Sequence, residues 1–419
     1  MLSGMLGALP AWAQFEQYTT PGSLGQRPEA RKEQLADAVK EARWHLGALR
    51  LAPSLELKNV AFISNVFASG DANEVSDLTA TLSGGLRAYL PFGAKTTAVA
   101  YALPEYAWWR DIEANRRVNG RYGGGVYAYF NRLTVEAELG REETQGFVTP
   151  ETPQQISYRR QFQNLSTEVQ VGGPFWLFGS ARSDQFRHLV AELDPRVAAL
   201  DLLDRDEDVF RLGAQARLSN GWSLGLGAER SQVQFRSPRN NLDNSGTAPI
   251  LVVRYEGKPW HLDLDLAYRS LEADGAGSRF VPFDDLTGLA RVELQPRHRL
   301  RFGLYGARTL AYSTLADYAY FTQDRLGLVF TFNPAGKVSL RTFVEEGSHN
   351  YVVAAAGALA RKDDVRSYGA SIQLHFRRVL TLELGVIDSR YDSNLPGQDR
   401  NVTQLITGIS LDAGGARWP

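Results

Sequence analysis

The chain has 419 residues, with 46 Lys and Arg against 47 Asp and Glu, and it has no cysteine. The near-zero net charge gives no reason to expect a nucleic-acid partner, and the missing cysteine suits a protein of the cell envelope. Past the N-terminus no run of about 18 apolar residues occurs, so a membrane-spanning helix is excluded, whereas a transmembrane β-barrel is not, because only alternate side chains of its strands face lipid.

The N-terminal region contains two predicted elements. Residues 1–13 are apolar and end in a small-x-small pattern before Gln14, which predicts the remnant of a secretory signal peptide; a frayed apolar terminus is the alternative. Strong helix formers from Pro28 to Trp44 predict a short helix. Residues 14–45 are therefore expected to form a periplasmic segment that precedes the first strand.

Strand periodicity begins near residue 46 and is clearest between Val209 and Phe235. Apolar side chains such as Phe210 and Leu212 alternate with polar ones such as Arg211, and Asn220-Gly221 is a hairpin turn signal. Each arm continues for about 10 residues, the length that crosses an outer membrane at a tilt, whereas strands of soluble proteins average about five or six.

The hairpin pattern repeats along nearly the whole chain, with short turns alternating with longer connections. Short turns are predicted at 91–94, 131–132, 172–174, 219–221, 257–259, 296–298, 333–336 and 377–378, and longer loops at 68–75, 110–117, 142–157, 188–206, 236–246, 272–283, 313–316, 348–364 and 392–400. This asymmetry is typical of outer-membrane barrels. We therefore predict an all-β fold: a single closed antiparallel up-and-down transmembrane β-barrel over residues 46–412, with about 18 strands (16 as the alternative), a C-terminal tail at 413–419 and both termini in the periplasm.

Aromatic residues are predicted to form two girdles, one at each end of the strands. Near the short turns stand Tyr89, Phe92, Phe130, Phe175, Trp176, Trp222, Trp260, Phe330, Phe332 and Phe376. At the other ends stand Phe67, Trp108, Trp109, Phe186, Phe235, Tyr268, Tyr312, Tyr318 and Tyr391.

The polar face of the strands is predicted to line the lumen, because so many ionised groups could not be buried without partners or water. The candidate lumen-lining residues are Arg87, Tyr89, Tyr127, Tyr129, Glu136, Glu138, Arg211, Arg217, Glu229, Arg254, Glu256, Asp263, Asp265, Arg291, Glu293, Arg299, Arg301, Tyr305, Arg341 and Glu345. Their charges could pair across strands and stiffen the wall, or they could form a polar track for a hydrated solute.

Two of the predicted long loops are unusually apolar. Residues 188–206 and 348–364 contain the runs Val197–Leu203 and Tyr351–Ala360, and an exposed apolar segment requires something to cover it. Each is expected either to fold into the barrel mouth as a constriction or to form a helix across the rim.

The sequence carries little sign of enzymatic chemistry. The six histidines lack metal-ligand spacing, and no nucleophile elbow, phosphate loop or dinucleotide fingerprint occurs. A pair such as Ser371 and His375 is the remaining candidate for a hydrolase. We expect no enzyme activity, no metal and no cofactor.

Short motifs resemble the β-barrel porin type-2 family. They are Leu49–Leu55, Ser64–Phe67 and Asn115-Arg116-Arg117, and the resemblance extends over residues 46–411. It implies an outer-membrane barrel of a Gram-negative bacterium linked to polysaccharide export, with outer-membrane lipid and a periplasmic polysaccharide-export protein as partners. Tyr89, Tyr127, Tyr129 and Tyr305 would then give sugar rings a sliding surface. The alternative function is passive diffusion of small hydrophilic solutes, or a purely structural barrel.

Overall fold

The computed structural model describes residues 19–25, 31–63, 76–149, 151–189, 200–237, 239–275, 277–376 and 380–412. The predicted signal-peptide remnant and the C-terminal tail lie outside these ranges. One α-helix, α1 (Arg31–Glu41), precedes the strands, and no helix in the described ranges is long and apolar enough to cross a membrane.

The described ranges contain nineteen strands, which follow one another in chain order. They are β1 (Trp44–Leu46), β2 (Leu49–Ile63), β3 (Asp77–Phe92), β4 (Thr96–Trp109), β5 (Arg117–Tyr129), β6 (Leu133–Thr149), β7 (Thr152–Gly172), β8 (Phe175–His188), β9 (Arg205–Arg217), β10 (Trp222–Phe235), β11 (Asn244–Glu256), β12 (Trp260–Ala273), β13 (Phe283–Arg297), β14 (Leu300–Tyr312), β15 (Tyr318–Ala335), β16 (Val338–Val353), β17 (Lys362–Phe376), β18 (Leu380–Ser393) and β19 (Arg400–Asp412).

Strands β2 to β19 form a closed antiparallel barrel in which each strand pairs with the next along the chain. The barrel closes where β19 pairs with β2, for example Leu411 opposite Leu55 and Gln404 opposite Ile63. The prediction of eighteen barrel strands is confirmed. The additional strand β1 pairs only with the first residues of β2, beyond the point where β19 leaves that edge.

The two ends of the barrel differ in their connections. At the short-turn end the strands are joined by two to four residues wherever the connection is described. Strand β2 begins and strand β19 ends at this same end of the barrel. The predicted turn at 377–378 lies outside the described residues. Connections at the other, long-loop end vary widely in length, as the sequence predicts.

Two predicted loops are largely strand in the structure. Strands β6 and β7 continue their pairing through residues 142–157, with Glu142 opposite Arg160 and Phe147 opposite Gln155. Similarly, β16 extends to Val353 and β17 begins at Lys362, so that the loop predicted at 348–364 is only 354–361. The polar composition of 142–157 hides its strands, because beyond the lipid-facing region an outward side chain no longer needs to be apolar. In 348–364 part of the apolar run, Tyr351 to Val353, is the end of β16.

The two-residue alternation separates an apolar outer face from a polar inner face. Leu212 and Leu226 are 69 % and 64 % exposed, whereas Arg211 and Glu229 on the opposite face are buried. Outward aromatic residues gather at the short-turn end, where the rings of Trp222, Tyr255 and Trp260 lie 4.0–6.0 Å apart. Such a band, edged by aromatic rings, is the surface that a transmembrane barrel presents to lipid.

The long-loop end does not have the simple aromatic girdle that we predict. Tyr268 faces outward, but Trp109, Tyr312, Tyr318 and Tyr391 are buried. Tyr312 belongs to an apolar cluster formed by strand ends and by the loops before β9, β11 and β13; its members include Leu203, Leu242 and Phe280. Since alternation is lost where strands meet these loops, sequence position alone does not assign these rings to the outer face.

Helix α1 is shorter than the predicted 28–44 helix and packs against the barrel. Leu35 and Ala38 are buried on its inner side and contact a cluster on the inner face of the wall. The barrel residues of this cluster are Ala52, Tyr89, Val99, Tyr127 and Tyr129, near the short-turn end. The N-terminal segment is therefore packed within the barrel's short-turn mouth rather than standing as a separate unit.

Candidate channel lumen

The structure places the predicted lumen residues on the inner face of the wall, apart from Arg299, which lies in the turn between β13 and β14. They differ in exposure. Arg299 and Arg301 are exposed at the short-turn mouth, whereas Tyr89, Tyr127 and Tyr305 are about 0–1 % exposed. These tyrosines lie beneath α1 and residues 19–25, so in this state they offer no sliding surface for sugars.

A network of ion pairs occupies the inner face of β9 to β12. The Glu229 carboxylate accepts from Arg211 Nε at 2.6 Å and lies 2.7 Å from an Arg269 guanidinium nitrogen. Arg211 also reaches Asp265 at 3.3 Å. Because both arginines and Glu229 are almost fully buried, each charge depends on its partner.

A continuous cross-strand row of inner-face residues runs from β9 to β16. Strand register places in sequence Arg217, Ser223, Arg254, Asp263, Arg291, Tyr305, Gly327 and Glu345. Within it Arg291 pairs with Asp263 at 3.2 Å, and the Tyr305 hydroxyl donates to Glu345. The charges of this region therefore take part in direct cross-strand pairing, the first of the two roles considered for them.

Residues 19–25 lie against this row, a placement that sequence patterning does not predict. Glu345 accepts a hydrogen bond from the Gly22 backbone N–H at 3.1 Å. Three backbone carbonyl oxygens of the segment accept from arginines of the wall: Leu24 from Arg291 at 3.2 Å, Gly22 from Arg341 at 2.6 Å and Thr20 from Arg325 at 3.5 Å. Leu24 adds an apolar contact to the cluster of Tyr305, Val329 and Phe343.

The N-terminal residues touch opposite walls of the barrel. Arg31, at the start of α1, lies 3.4 Å from both Glu136 and Glu138 of β6, and the helix packs on β2 to β5. Residues 19–25 instead contact β13 to β16. Strands β5 and β14 are nine positions apart in a ring of eighteen, and are therefore diametrically opposed. Helix α1 and residues 19–25 therefore lie against opposite sides of the lumen.

The tip of the β6–β7 hairpin also reaches across the barrel, at the long-loop end. Glu151 accepts hydrogen bonds from Ser313 Oγ at 2.6 Å, from the Thr314 backbone N–H at 2.6 Å and from Thr314 Oγ1 at 2.8 Å. Ser313 and Thr314 lie between β14 and β15, eight strands away. Burial raises the pKa of the Glu151 carboxyl despite these donors and the nearby charge of Arg361.

This Glu151 contact is expected to loosen as pH rises. Because the docked carboxyl has a raised pKa, docking is favoured when Glu151 carries its proton; the stabilisation is complete below the ordinary pKa of 4.5 and is lost as pH rises through the raised value. Hydrogen–deuterium exchange of the Thr314 amide, relative to its intrinsic rate, measures this directly. Protection should fall with rising pH in the native chain and stay constant in Glu151→Gln.

The control for this prediction is Glu113→Gln, which alters an exposed glutamate between β4 and β5. It should leave the pH dependence at Thr314 unchanged. Protection that increases with pH in the native chain would contradict the expected sign.

The two predicted apolar loops differ in how their residues are buried. In the described part of 188–206, Leu203 is fully buried in the apolar cluster at the long-loop end. In the other segment, Tyr351 to Val353 belong to β16, Ala354 packs against the same cluster and Leu359 is 68 % exposed. Among the described residues, it is residues 19–25 and α1 that lie on the inner wall of the lumen.

The described residues contain no group of three or more His, Asp or Glu side chains placed to hold a metal ion. Ser371 and His375 both lie on β17, four residues apart, a separation of about 13 Å along a strand. The His375 ring contacts Thr381 at 3.1 Å instead. These two residues therefore do not form a nucleophile and base pair.

Comparison with known proteins identifies the fold. The chain is similar to Pseudomonas aeruginosa OccK2 (OpdF), with a TM-score of 0.53 and 14% identity over 87% of this chain and 98% of that one. It is also similar to P. aeruginosa OpdO (0.52, 14%, 86% and 97%) and to P. aeruginosa OpdK solved with vanillate (0.51, 12%, 86% and 98%). No family model and no curated protein matches. The fold is that of outer-membrane porins of eighteen strands.

Proposed function

We propose that this protein is an outer-membrane channel through which small hydrophilic solutes diffuse. The observation that carries the proposal is a closed eighteen-stranded barrel whose inner wall bears ionised, hydrogen-bonded side chains and whose outer wall bears leucines. Barrels of about this strand number leave an aqueous channel.

The contents of the lumen favour small solutes over a polymer. Helix α1 and residues 19–25 lie against opposite sides of the lumen, and Glu151 reaches across the long-loop end, so the open space between opposite walls is reduced. The four tyrosines considered for polysaccharide are covered. Similar structures were solved with vanillate or glucuronate, both small molecules, and that agrees with a small-solute channel.

Polysaccharide export has less support. The export association rests on the resemblance noted above, and the fold comparisons lead to Occ and Opd proteins. The partner proposed for export, a periplasmic protein docked on the N-terminal helix, would need a surface of α1 other than Leu35 and Ala38, which are buried against the barrel.

Solute flux into proteoliposomes tests the proposal. Vesicles containing the full chain are mixed with a series of saccharides from one to several rings, and swelling is followed by light scattering. We expect swelling with the smallest sugars that declines steeply with size, because α1, residues 19–25 and the Glu151 tip leave only narrow passages. Empty vesicles are the control. Equal entry of long oligosaccharides would favour the export function, and no entry of any solute would contradict a channel.

A further inference from the structure

We propose that residues 19–25 together with α1, named here the N-terminal strap, form a built-in plug that narrows the lumen and widens it when displaced. This inference rests on the proposed channel function. It concerns a segment of the chain itself, docked on a site formed by the inner wall of β13 to β16 and held at its other end by β6.

The docking site leaves no room for a side chain at Gly22 or Gly25 of the strap, where only backbone fits. At Gly22, which has a φ of 77°, a Cβ atom would overlap the Phe343 ring, and at Gly25 it would come within 2.5 Å of Val329 and 2.9 Å of Tyr305. On the wall side, a Cβ at Gly303 would come within 2.5 Å of the Gly25 carbonyl oxygen. Contacts this close exist only because these positions are glycine.

The polar groups of the site match the strap in direction. Arg291, Arg325 and Arg341 donate to alternate carbonyl oxygens, and Glu345 accepts from the Gly22 N–H. Arg325 also pairs with Glu345 at 2.8 Å. The wall thus offers donors where the strap has carbonyls and an acceptor where it has an N–H, as in a peptide-binding site.

The other end of the strap has a different kind of attachment. Arg31 is 26 % exposed and approaches the Glu136 and Glu138 carboxylates at 3.4 Å, and these two glutamate side chains are only 4 % and 8 % exposed. Helix α1 contributes apolar contacts from Leu35, Ala38 and Val39, and Ala42 follows just after the helix. This end is therefore held by one arginine and one apolar cluster, and its release would leave the strand pairing of the barrel wall unchanged.

Single-channel recording of full-length variants in planar bilayers with KCl tests the plug. Gly22→Ala and Gly25→Ala add one methyl group that the wall cannot accommodate, and we expect a several-fold higher conductance or open fraction than in the native chain. The matched controls are Gly357→Ala, which shares the left-handed φ (86°), and Gly336→Ala; neither has an atom within 4 Å of the added Cβ. The controls should conduct like the native chain.

A charge reversal tests the second anchor independently of the glycines. Arg31→Glu would face Glu136 and Glu138, so it should raise the conductance, and adding Glu138→Arg should return it towards the native level. Restoration by the second change is not expected from general damage to the barrel. Heat-modifiable migration on gels and the β-sheet circular dichroism signal establish that each variant is folded.

The outcomes separate the plug from the channel. Folded variants that all conduct as the native chain does would overturn the plug while leaving the channel in place. Absence of conductance in the native chain and in every folded variant would contradict the channel function itself. Higher conductance in Gly357→Ala equal to that of Gly22→Ala would overturn the assignment of the effect to the docking site.

Discussion

Replacing Glu229 with alanine is expected to cost about 3–5 kcal/mol of the free energy of unfolding. Glu229 is 2 % exposed, and Arg211 and Arg269 both direct guanidinium groups at its carboxylate. Its removal would leave Arg269, itself 2 % exposed, without that anionic partner inside the wall. Urea unfolding of the barrel in lipid vesicles, followed by tryptophan fluorescence, measures the loss.

Glu346→Ala is the matched control for this experiment. Glu346 lies on the outer face of β16, its side chain is 71 % exposed, and its ion pair with Arg366 is long at 3.8 Å. An exposed pair of this kind contributes about 0–1 kcal/mol. Equal losses for the two alanine variants would show that Glu229 is solvated rather than buried among its arginines.

Tyr312→Ala is expected to be comparably destabilising, by about 3–5 kcal/mol. The ring is fully buried in the apolar cluster at the long-loop end, edge-on to Phe235 at 4.9 Å, and its hydroxyl oxygen lies 3.0 Å from the Asn244 amide nitrogen. Removal leaves a cavity and takes away one hydrogen-bond partner of the Asn244 amide, which still donates to the Leu242 carbonyl at 2.8 Å. Tyr312→Phe, which keeps the ring, should cost about 1 kcal/mol by losing the hydrogen bond alone.

Tyr268→Ala is the control for Tyr312→Ala. The strand pattern predicts both rings in the same outer girdle, but in the structure Tyr268 is 48 % exposed and Tyr312 is buried. Its loss should be much smaller in the same urea experiment. If the two alanine variants lost the same stability, burial of Tyr312 in the apolar cluster would not account for its contribution to the free energy of unfolding.

The barrel itself is predictable from the sequence because its physical cause is local. Alternation at Phe210, Arg211 and Leu212, together with turn residues such as Asn220-Gly221, determines which side chains face lipid and where the chain reverses. Eighteen strands follow from counting these segments. The inner-face residues follow from the same alternation, although their function stays a prediction.

The contents of the barrel are not predictable in this way, because they depend on contacts between residues far apart in the chain. Nothing near Gly22 indicates that Glu345 will accept its N–H, and nothing near Glu151 indicates Ser313 and Thr314. Gly22 and Gly25, which lie shortly before the predicted helix, are the one sequence signal of close backbone packing in the strap. Glycine at these positions is equally typical of an ordinary loop, so the signal does not predict the docking. Strand extension into β6 and β7 was hidden for a related reason: outside the lipid band the apolar half of the pattern disappears.

The covalent link between α1 and the barrel has a consequence for how tightly the strap must bind. Only a few residues separate Glu41 from the first residues of β2, so the strap is held at an effective concentration in the millimolar range, typical of short tethers. An intrinsic dissociation constant near that value is enough to keep the lumen occupied about half the time. Docking with an intrinsic dissociation constant in the millimolar range would therefore be enough for a resident peptide, and a solute of equal affinity present at millimolar levels would compete with it on equal terms.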